Sequence, residues 1–167
     1  NMKTLIRDIA IVLVVVLAIT FFIKPIIVKK TSMEPTLTEN NYLFISKQAY
    51  RFGEPERGDI IVFPHYTGGE KELYIKRVIG LPGETIETKD GEVYVDGEAI
   101  KEAYIKDVYT AGQENGIKVP KGQLYVLGDN REVSIDSRYA EVGTVDIDEV
   151  TGKAILRVYP FGEFGTL

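Results

Sequence analysis

The sequence predicts a mostly β protein, an antiparallel β-sheet domain preceded by one N-terminal transmembrane helix. Two observations carry this prediction. The apolar run from Ile9 to Ile23 contains no charged side chain, and beyond residue 40 short β-branched and aromatic runs recur without a helical period. With 167 residues and 44% hydrophobic content, the chain can bury one sizeable core. We therefore expect one compact domain and a membrane tail.

The apolar run near the N-terminus is slightly shorter than a membrane span, which needs roughly 20 residues. Leu5 and Ile6 extend the run if the charged ends of Arg7 and Lys24 reach back to the interface between lipid and water. We therefore expect the chain to cross the membrane at about residues 5–24.

A cleaved signal peptide or a buried core helix would also contain an apolar run. A signal peptide should end in small residues of the Ala-x-Ala type, whereas this run is followed by Lys-Pro-Ile-Ile-Val-Lys-Lys. We therefore expect residues 1–28 to form an uncleaved anchor and residues 29–167 to form the β domain. Counted alone, the basic residues around the span mildly favour a cytoplasmic β domain, but this rule is weak for a long following domain.

The β domain is predicted from short runs that are bounded by turn signals such as Gly68-Gly69, Asp90-Gly91 and Asp96-Gly97. The predicted strands are YLFIS (42–46), DIIVF (59–63), ELYIKRVIG (72–80), EVYV (92–95), QLYVLG (123–128) and KAILRVY (153–159). The polar segment 101–121 lacks such runs, and we expect it to be a mobile excursion from the sheet.

Charge and composition exclude several classes of function. The formal net charge is -5, and residues 1–30 hold five basic side chains and one acidic one, so that 15 basic and 24 acidic residues remain beyond them. This acidic body has the wrong sign for a nucleic-acid binder. The chain has no cysteine and a single histidine, His65, which excludes disulfides, thiolate sites and a His-rich metal site. Composition does not exclude a metal site made of carboxylates alone, but the sequence has no calcium-loop spacing. We expect no metal or cofactor.

The predicted strand at residues 72–80 carries two adjacent cations, Lys76 and Arg77. Strand alternation places them on opposite faces, each beside bulky apolar neighbours, so at least one must be partly desolvated. An arginine keeps its charge there and needs a carboxylate partner, whereas a desolvated lysine has a lowered pKa and can act as a general base. The alternative is that Lys76 simply reaches solvent from a strand edge.

Two further polar segments stand out. Ser32 is the first serine of the chain and follows the apolar segment closely, although a serine before Pro35 is also an ordinary turn residue. The segment GDNREVSIDSR (128–138) concentrates three acids, two arginines and two of the four serines between predicted strands. An acidic, solvated hairpin loop would have a similar composition.

Together these segments resemble the type I signal peptidase family, the Ser-Lys proteases that include bacterial leader peptidase. The resemblance covers nearly the whole chain, and the short spacing is similar to the compact Gram-positive form. The matching segments after the membrane anchor are SMEPTL (32–37), RGDIIVF (57–63), YIKRVIGLPGE (74–84) and GDNR (128–131), with Ser134, Asp136, Ser137 and Arg138.

This resemblance implies that Ser32 is the nucleophile and Lys76 the general base of a Ser-Lys dyad, which works through an acyl-enzyme. The Ser32 backbone N–H is expected to be one donor to the oxyanion. Some family members supply a second donor from a serine two residues before the nucleophile, where this chain has Lys30. The second donor is then absent, a water or Thr31.

The resemblance also assigns roles to charged and polar residues around the dyad. Ser134 is expected within hydrogen-bonding distance of the catalytic lysine, which it would orient. Asp136 and Arg138 are expected to form a supporting ion pair. Asp129 is expected to form an ion pair with Arg77. This pair would supply the carboxylate that a desolvated arginine in the predicted strand needs.

By the same resemblance, shallow apolar pockets accept small side chains, so that preproteins are cut after Ala-x-Ala sites. The residues expected to line these pockets are Ile26, Val28, Met33, Leu37, Tyr74 and Ile75. The scissile bond of an exported preprotein lies at the outer edge of the membrane. The resemblance therefore implies a single-pass protein of the cytoplasmic membrane, in contact with the bilayer. Its β domain would be catalytic and extracytoplasmic, which is opposite to the side that the basic residues around the span mildly favour.

Three other interpretations compete with this one. A self-cleaving repressor of the SOS response also uses a Ser-Lys pair, but it would carry a DNA-binding segment in place of an apolar N-terminus. A signal peptidase of the endoplasmic-reticulum type has histidine at the position of Lys76, and His65 lies elsewhere in the sequence. A membrane-anchored adhesion or scaffold module would need neither Ser32 nor Lys76.

Overall fold

The computed structural model describes residues 1–107, 109–112 and 115–167. It begins with helix α1, Met2–Phe22, which the side chain of Asn1 caps and which is long and apolar enough to cross a membrane, with a mean hydropathy of 2.6. None of the residues in α1 is buried against the rest of the protein. Such an apolar helix needs a non-aqueous partner, which fits a membrane span.

The remaining elements are almost all short strands. They are β1 (Ile23–Ile27), β2 (Tyr42–Ser46), β3 (Ile60–Thr67), β4 (Glu70–Gly80), β5 (Thr85–Lys89), β6 (Glu92–Val95), β7 (Glu98–Ala99), β8 (Ile117–Lys118), β9 (Gln123–Leu127), β10 (Val145–Asp146), β11 (Gly152–Tyr159) and β12 (Gly165–Thr166). Helix α2 (Ala49–Phe52) and two 3-10 turns (Ile147–Glu149 and Phe161–Glu163) complete the described elements.

The strands form two sheets in which every described pairing is antiparallel. The larger sheet has the strand order β1-β2-β11-β3-β4-β9-β10, and β12 pairs with β11. The smaller sheet has the order β7-β6-β5-β8. The predicted fold class, a mostly β antiparallel domain behind one apolar helix, is confirmed.

Strand β1 lies where the sequence analysis placed the end of the anchor. Helix α1 ends at Phe22, because Ile23 already pairs with Ser46 of β2 and the register continues to Ile27 opposite Tyr42. The sheet therefore begins directly at the end of the helix. The boundaries of the anchor and of the β domain stay predictions.

Three hydrophobic clusters form the core, and each lies on a different part of the sheets. The first packs beneath β1, β2 and β11, the second beneath β3, β4 and β9, and the third between β9 and the smaller sheet. Fully buried members are Leu43 and Ile45 in the first cluster, Ile61 and Val78 in the second, and Ile79 and Val93 in the third.

The polar segment 101–121 is partly tied to this framework. The Lys106 backbone N–H donates a 2.9 Å hydrogen bond to the carbonyl of Asp129, and the Lys106 side chain forms a 2.9 Å ion pair with Glu34. Positions 108, 113 and 114 of the segment lie outside the described residues. Its mobility stays a prediction.

Candidate active site

Ser32 lies in the turn that connects β1 to β2. Its carbonyl oxygen accepts a 3.0 Å hydrogen bond from the backbone N–H of Asn130, and the Asn130 side-chain amide donates to the carbonyl of Thr31 at 3.1 Å. The polar loop 128–138 therefore holds the serine segment from a distance of about a hundred residues in sequence.

Lys76 reaches Ser32 from β4. Its Nζ lies 2.8 Å from Ser32 Oγ, and the residue is only 4% exposed to solvent. Across the sheet Lys76 pairs with Ile61 of β3, and its Nζ lies 4.9 Å from the ring centroid of Tyr74. The structure thus brings together the two residues that the sequence analysis predicted as nucleophile and base, in an apolar and aromatic setting.

This setting changes the chemistry of the lysine. Burial lowers the pKa of Lys76 from its ordinary value of 10.5 to about 8, because it disfavours the charged form. The carboxylate of Asp136 acts in the opposite direction, and the cations of Lys30 and Arg138 lower the pKa further. A lysine with a pKa near 8 is partly neutral close to neutral pH and can accept a proton from a serine.

Ser134 departs from the expectation. Its side chain is buried, and among the described residues its Oγ has no hydrogen-bond partner, so the predicted hydrogen bond to Lys76 is not formed. The Ser134 backbone N–H donates to the Asn130 carbonyl at 3.0 Å, and the Ser134 side chain lies against Gly128. The role of Ser134 in orienting the lysine stays a prediction.

Asp136 and Arg138 are paired as expected. Arg138 donates to Asp136 from Nε at 2.8 Å and from Nη2 at 3.0 Å, and both residues are buried. Asp136 also accepts from the backbone N–H of Gly128 at 3.0 Å, while Arg138 Nη2 donates to the Arg131 carbonyl at 2.9 Å. This network fixes both ends of the loop that holds the serine segment.

Arg77 and Asp129 form a second buried ion pair, which was also expected. Two guanidinium nitrogens donate to the carboxylate at 2.9 and 2.6 Å. The Thr36 hydroxyl donates to the same carboxylate at 2.5 Å, and the Tyr104 ring lies 4.0 Å from the guanidinium carbon. The pair thus joins β4, the loop after β9 and the turn that follows Ser32.

Some residues near the site were not predicted. Tyr104, which stacks on Arg77, lies in the polar segment 101–121, and nothing in the local sequence indicates that contact. Lys30 forms a 2.6 Å ion pair with Glu72, 42 residues away. Opposite charges so far apart in sequence give no local signal of pairing.

A cleft of about 830 Å³ opens beside Ser32 and Lys76. Five of the six predicted pocket residues line it, together with charged residues at its rim. The lining consists of Pro25, Ile26, Ile27, Val28, Lys29, Lys30, Thr31, Ser32, Met33, Glu39, Lys71, Glu72, Leu73, Tyr74, Ile75, Lys76, Val133 and Ile135.

Leu37 is the predicted pocket residue that does not line the cleft. It is fully buried in the hydrophobic cluster beneath β1 and β2. Its backbone N–H bonds to the carbonyl of Met33 at 2.9 Å, so the chain turns between these residues and the Leu37 side chain enters the core. The structure therefore places Leu37 in the core and not on the cleft wall, and its role in substrate binding stays a prediction.

No group of three or more His, Cys, Asp or Glu residues that could hold a metal ion is found in the described part of the chain. His65 instead packs its ring 4.5 Å from the ring of Tyr74.

Comparisons with known proteins agree with this geometry. The profile of the family described as signal peptidase, peptidase S26, matches residues 2–159. Signal peptidase I of Bacillus licheniformis is 38% identical over 167 residues, which cover 92% of this chain and 88% of that protein. Signal peptidase IB of Staphylococcus aureus strain COL is 35% identical over 162 residues, covering 86% of this chain and 82% of that protein.

A solved structure is also similar. The crystal structure of a signal peptidase I from Enterococcus faecalis V583 has a TM-score of 0.50 and 37% sequence identity. The match covers 59% of this chain and 95% of that one. Because the family profile matches most of the sequence and the relatives align over most of their length, this chain belongs to the signal peptidase family, peptidase S26, and is a serine endopeptidase of that family.

Proposed function

We propose that this protein removes N-terminal signal peptides from exported preproteins after Ala-x-Ala sites, using Ser32 and Lys76 as a catalytic dyad. The observation that carries the proposal is the 2.8 Å separation of Lys76 Nζ and Ser32 Oγ, with the lysine almost fully buried. Nucleophile and base within hydrogen-bonding distance are the geometric requirement for covalent catalysis by a serine.

The reaction follows from that geometry. Neutral Lys76 takes the proton of Ser32 while Oγ attacks the scissile carbonyl, which forms a tetrahedral intermediate. The lysine then gives this proton to the leaving amine, the new N-terminus of the mature protein, and the signal peptide remains as an ester on Ser32. A water attacks the ester, Lys76 accepts its proton and returns it to Oγ, and the released signal peptide ends in a carboxylate.

The tetrahedral oxyanion needs a donor beside Ser32. The backbone N–H of Ser32 has no hydrogen-bond partner among the described residues, which leaves it available for this role. The carbonyls of Thr31 and Ser32 are both fixed by Asn130, so the peptide group that carries this N–H is held in place. We assign the Ser32 N–H as one oxyanion donor.

The cleft supports a preference for small side chains. Ile26, Val28 and Met33 are each less than 10% exposed, so they close the floor of the cleft. A bulky side chain at position -1 or -3 of the preprotein would have to displace these packed residues. Strand β1 forms one edge of the large sheet and borders the cleft, where its free backbone groups can pair with an extended peptide.

The outer face of the same sheet supports contact with a lipid bilayer. Ile27, Tyr42 and Tyr159 lie side by side across β1, β2 and β11 and are 46%, 47% and 45% exposed. Lys47 Nζ donates to the carbonyl of Thr20 at 2.9 Å, which ties this sheet to the end of α1. An exposed apolar and aromatic face that adjoins a spanning helix is suited to the interface of a membrane. We infer that the catalytic domain rests on the extracytoplasmic surface, where exported preproteins emerge.

The test uses the full chain in a neutral detergent and a secretory preprotein with an Ala-x-Ala site. We expect a single cut after the second alanine, identified by N-terminal sequencing of the product, and no cut when that alanine is replaced by leucine. The Ser32→Ala variant is the matched control for contaminating proteases. Equal cleavage of both preproteins, or cleavage by Ser32→Ala, would contradict the proposal.

The orientation has its own test. Protease added outside protoplasts of a bacterium that expresses the full chain should digest the β domain, while a cytoplasmic marker protein stays intact. Digestion only after the membrane is broken would contradict the extracytoplasmic assignment.

A further inference from the structure

Lys30 and Glu72 form an ion pair on the wall of the catalytic cleft. Lys30 lies two residues before the nucleophile, and its Nζ is 2.6 Å from Glu72 Oε2. The two side chains are 60% and 41% exposed, and an ion pair with that exposure contributes little to folding stability. Its position suggests an effect on the neighbouring site instead.

The two lysines of the cleft share one aromatic ring. Nζ of Lys30 lies 5.2 Å from the ring centroid of Tyr74, and Nζ of Lys76 lies 4.9 Å from the same centroid. Tyr74 is only 8% exposed, so its ring excludes water from part of the space around these cations. Charges that are partly shielded from solvent interact more strongly than charges on an open surface.

We propose that Lys30 and Glu72 form a charge pair that controls the protonation of the catalytic Lys76. The Lys30 cation disfavours a proton on Lys76, and Glu72 limits this repulsion because it neutralises Lys30. Lys30 and Glu72 are thus positioning residues that act through Lys76. This inference rests on the proposed Ser32 and Lys76 dyad.

The other charged groups that face Lys76 are buried and held in fixed positions by their own ion pair. Asp136 and Arg138 face it from the loop 128–138, with opposite effects on its pKa, and they are buried and bonded to each other. From β3 its neighbour is the apolar Ile61. From β4 itself, the aromatic ring of Tyr74 faces Lys76.

Substrate binding would strengthen the effect. Lys30, Glu72 and Lys76 all line the cleft, so a bound preprotein covers them and displaces water. The lower local dielectric increases the repulsion between the two lysines at the time when Lys76 must be neutral. Lys30 therefore favours the neutral form of Lys76 in the complex with substrate, and Glu72 sets how far this effect goes.

The test is the pH dependence of kcat/KM for the full chain in a neutral detergent, with an Ala-x-Ala preprotein as substrate. Lys30→Gln should move the midpoint of the acid limb to higher pH by about half a unit, since it removes a nearby cation. Glu72→Gln should move it to lower pH, and the double variant should lie close to the parent. Lys30→Arg keeps the charge and should keep the parent midpoint.

Lys118→Gln is the matched control, because it removes one exposed cation from the smaller sheet and should shift nothing. Unshifted midpoints in both Lys30→Gln and Glu72→Gln, or shifts in the same direction, would overturn this inference while the dyad stands. A parent without an acid limb, or a Lys76→Ala variant that keeps its rate, would overturn the dyad and this inference with it.

Discussion

Lys76 Nζ lies 2.8 Å from Ser32 Oγ, although 44 residues separate the two in sequence. The contact exists because β4 is an interior strand of the large sheet, between β3 and β9, and the loop 128–138 holds the Ser32 segment beside it. The same packing buries the lysine and so makes its neutral form accessible.

The rate of cleavage should depend on the protonation of Lys76. Because burial lowers its pKa to about 8, only a fraction of the enzyme holds a neutral base at pH 7. We expect kcat/KM to rise from pH 6 and to level off above the pKa, with a midpoint near 8. The measurement is a pH profile with an Ala-x-Ala preprotein, and a rate that is constant from pH 6 to 9 would contradict the assignment.

Replacement of the buried lysine should stabilise the fold. The pKa of Lys76 is lower in the folded chain than in the unfolded chain, so folding at pH 7 must bury a charge or release a proton. We expect Lys76→Met to raise the free energy of unfolding at pH 7 by about 1–3 kcal/mol. Chemical unfolding of the full chain in detergent, followed by the near-ultraviolet signal of its tyrosines, measures this change.

The gain should also depend on pH. Between about 8 and 10.5 the unfolded parent binds more protons at this site than the folded parent, so the stability of the parent rises with pH. The advantage of Lys76→Met should therefore shrink across this window. A variant that is less stable than the parent at pH 7 would show that the lysine stabilises the site.

The ion pair between Arg77 and Asp129 should be essential for folding stability. Asp129→Ala leaves the Arg77 guanidinium buried without its carboxylate, and loss of one partner of a buried pair costs about 3–5 kcal/mol. The matched control is Lys106→Gln, which breaks a more exposed ion pair with Glu34 and should change stability little. Similar losses in both variants, measured by chemical unfolding, would contradict the different roles assigned to these pairs.

Gly128 should be required for the position of the nucleophile. A Cβ atom at this residue would lie 2.5 Å from the Ser32 carbonyl oxygen and would also meet the Ser134 side chain. Gly128→Ala must therefore displace the serine segment, and we expect kcat to fall at least about tenfold, because small misplacements of a nucleophile are costly. Gly162→Ala, where a Cβ meets open space, is the matched control. A Gly128→Ala variant with the parent kcat would contradict this account.

The sequence predicted those parts of the fold that depend on local pattern. The run YLFIS became β2 with its predicted bounds, because its alternation matches one buried and one exposed face. Strand β1 was missed because IKPII continues the apolar composition of the helix, and only its pairing with β2 distinguishes the two. Alternation around Lys76 correctly indicated desolvation, since the side chain is 4% exposed.

Contacts between distant segments explain what the sequence did not predict. The turn that sends Leu37 into the core and the packing of Ser134 on Gly128 depend on tertiary structure. The stacking of Tyr104 on Arg77 joins a polar segment to a strand with no local signal in either. The Lys30 and Glu72 pair likewise needs β4 to lie beside the serine segment.

The central claim is that Ser32 and Lys76 act together as nucleophile and base. The most direct measurement compares kcat/KM of the full chain with that of Ser32→Ala and Lys76→Ala, and uses Lys118→Gln as a control for the loss of a lysine. We predict that both dyad variants fold, as judged by the tyrosine near-ultraviolet signal, and lose at least about a thousandfold in kcat/KM, whereas Lys118→Gln keeps the parent value. A folded Ser32→Ala or Lys76→Ala variant within tenfold of the parent would contradict the dyad.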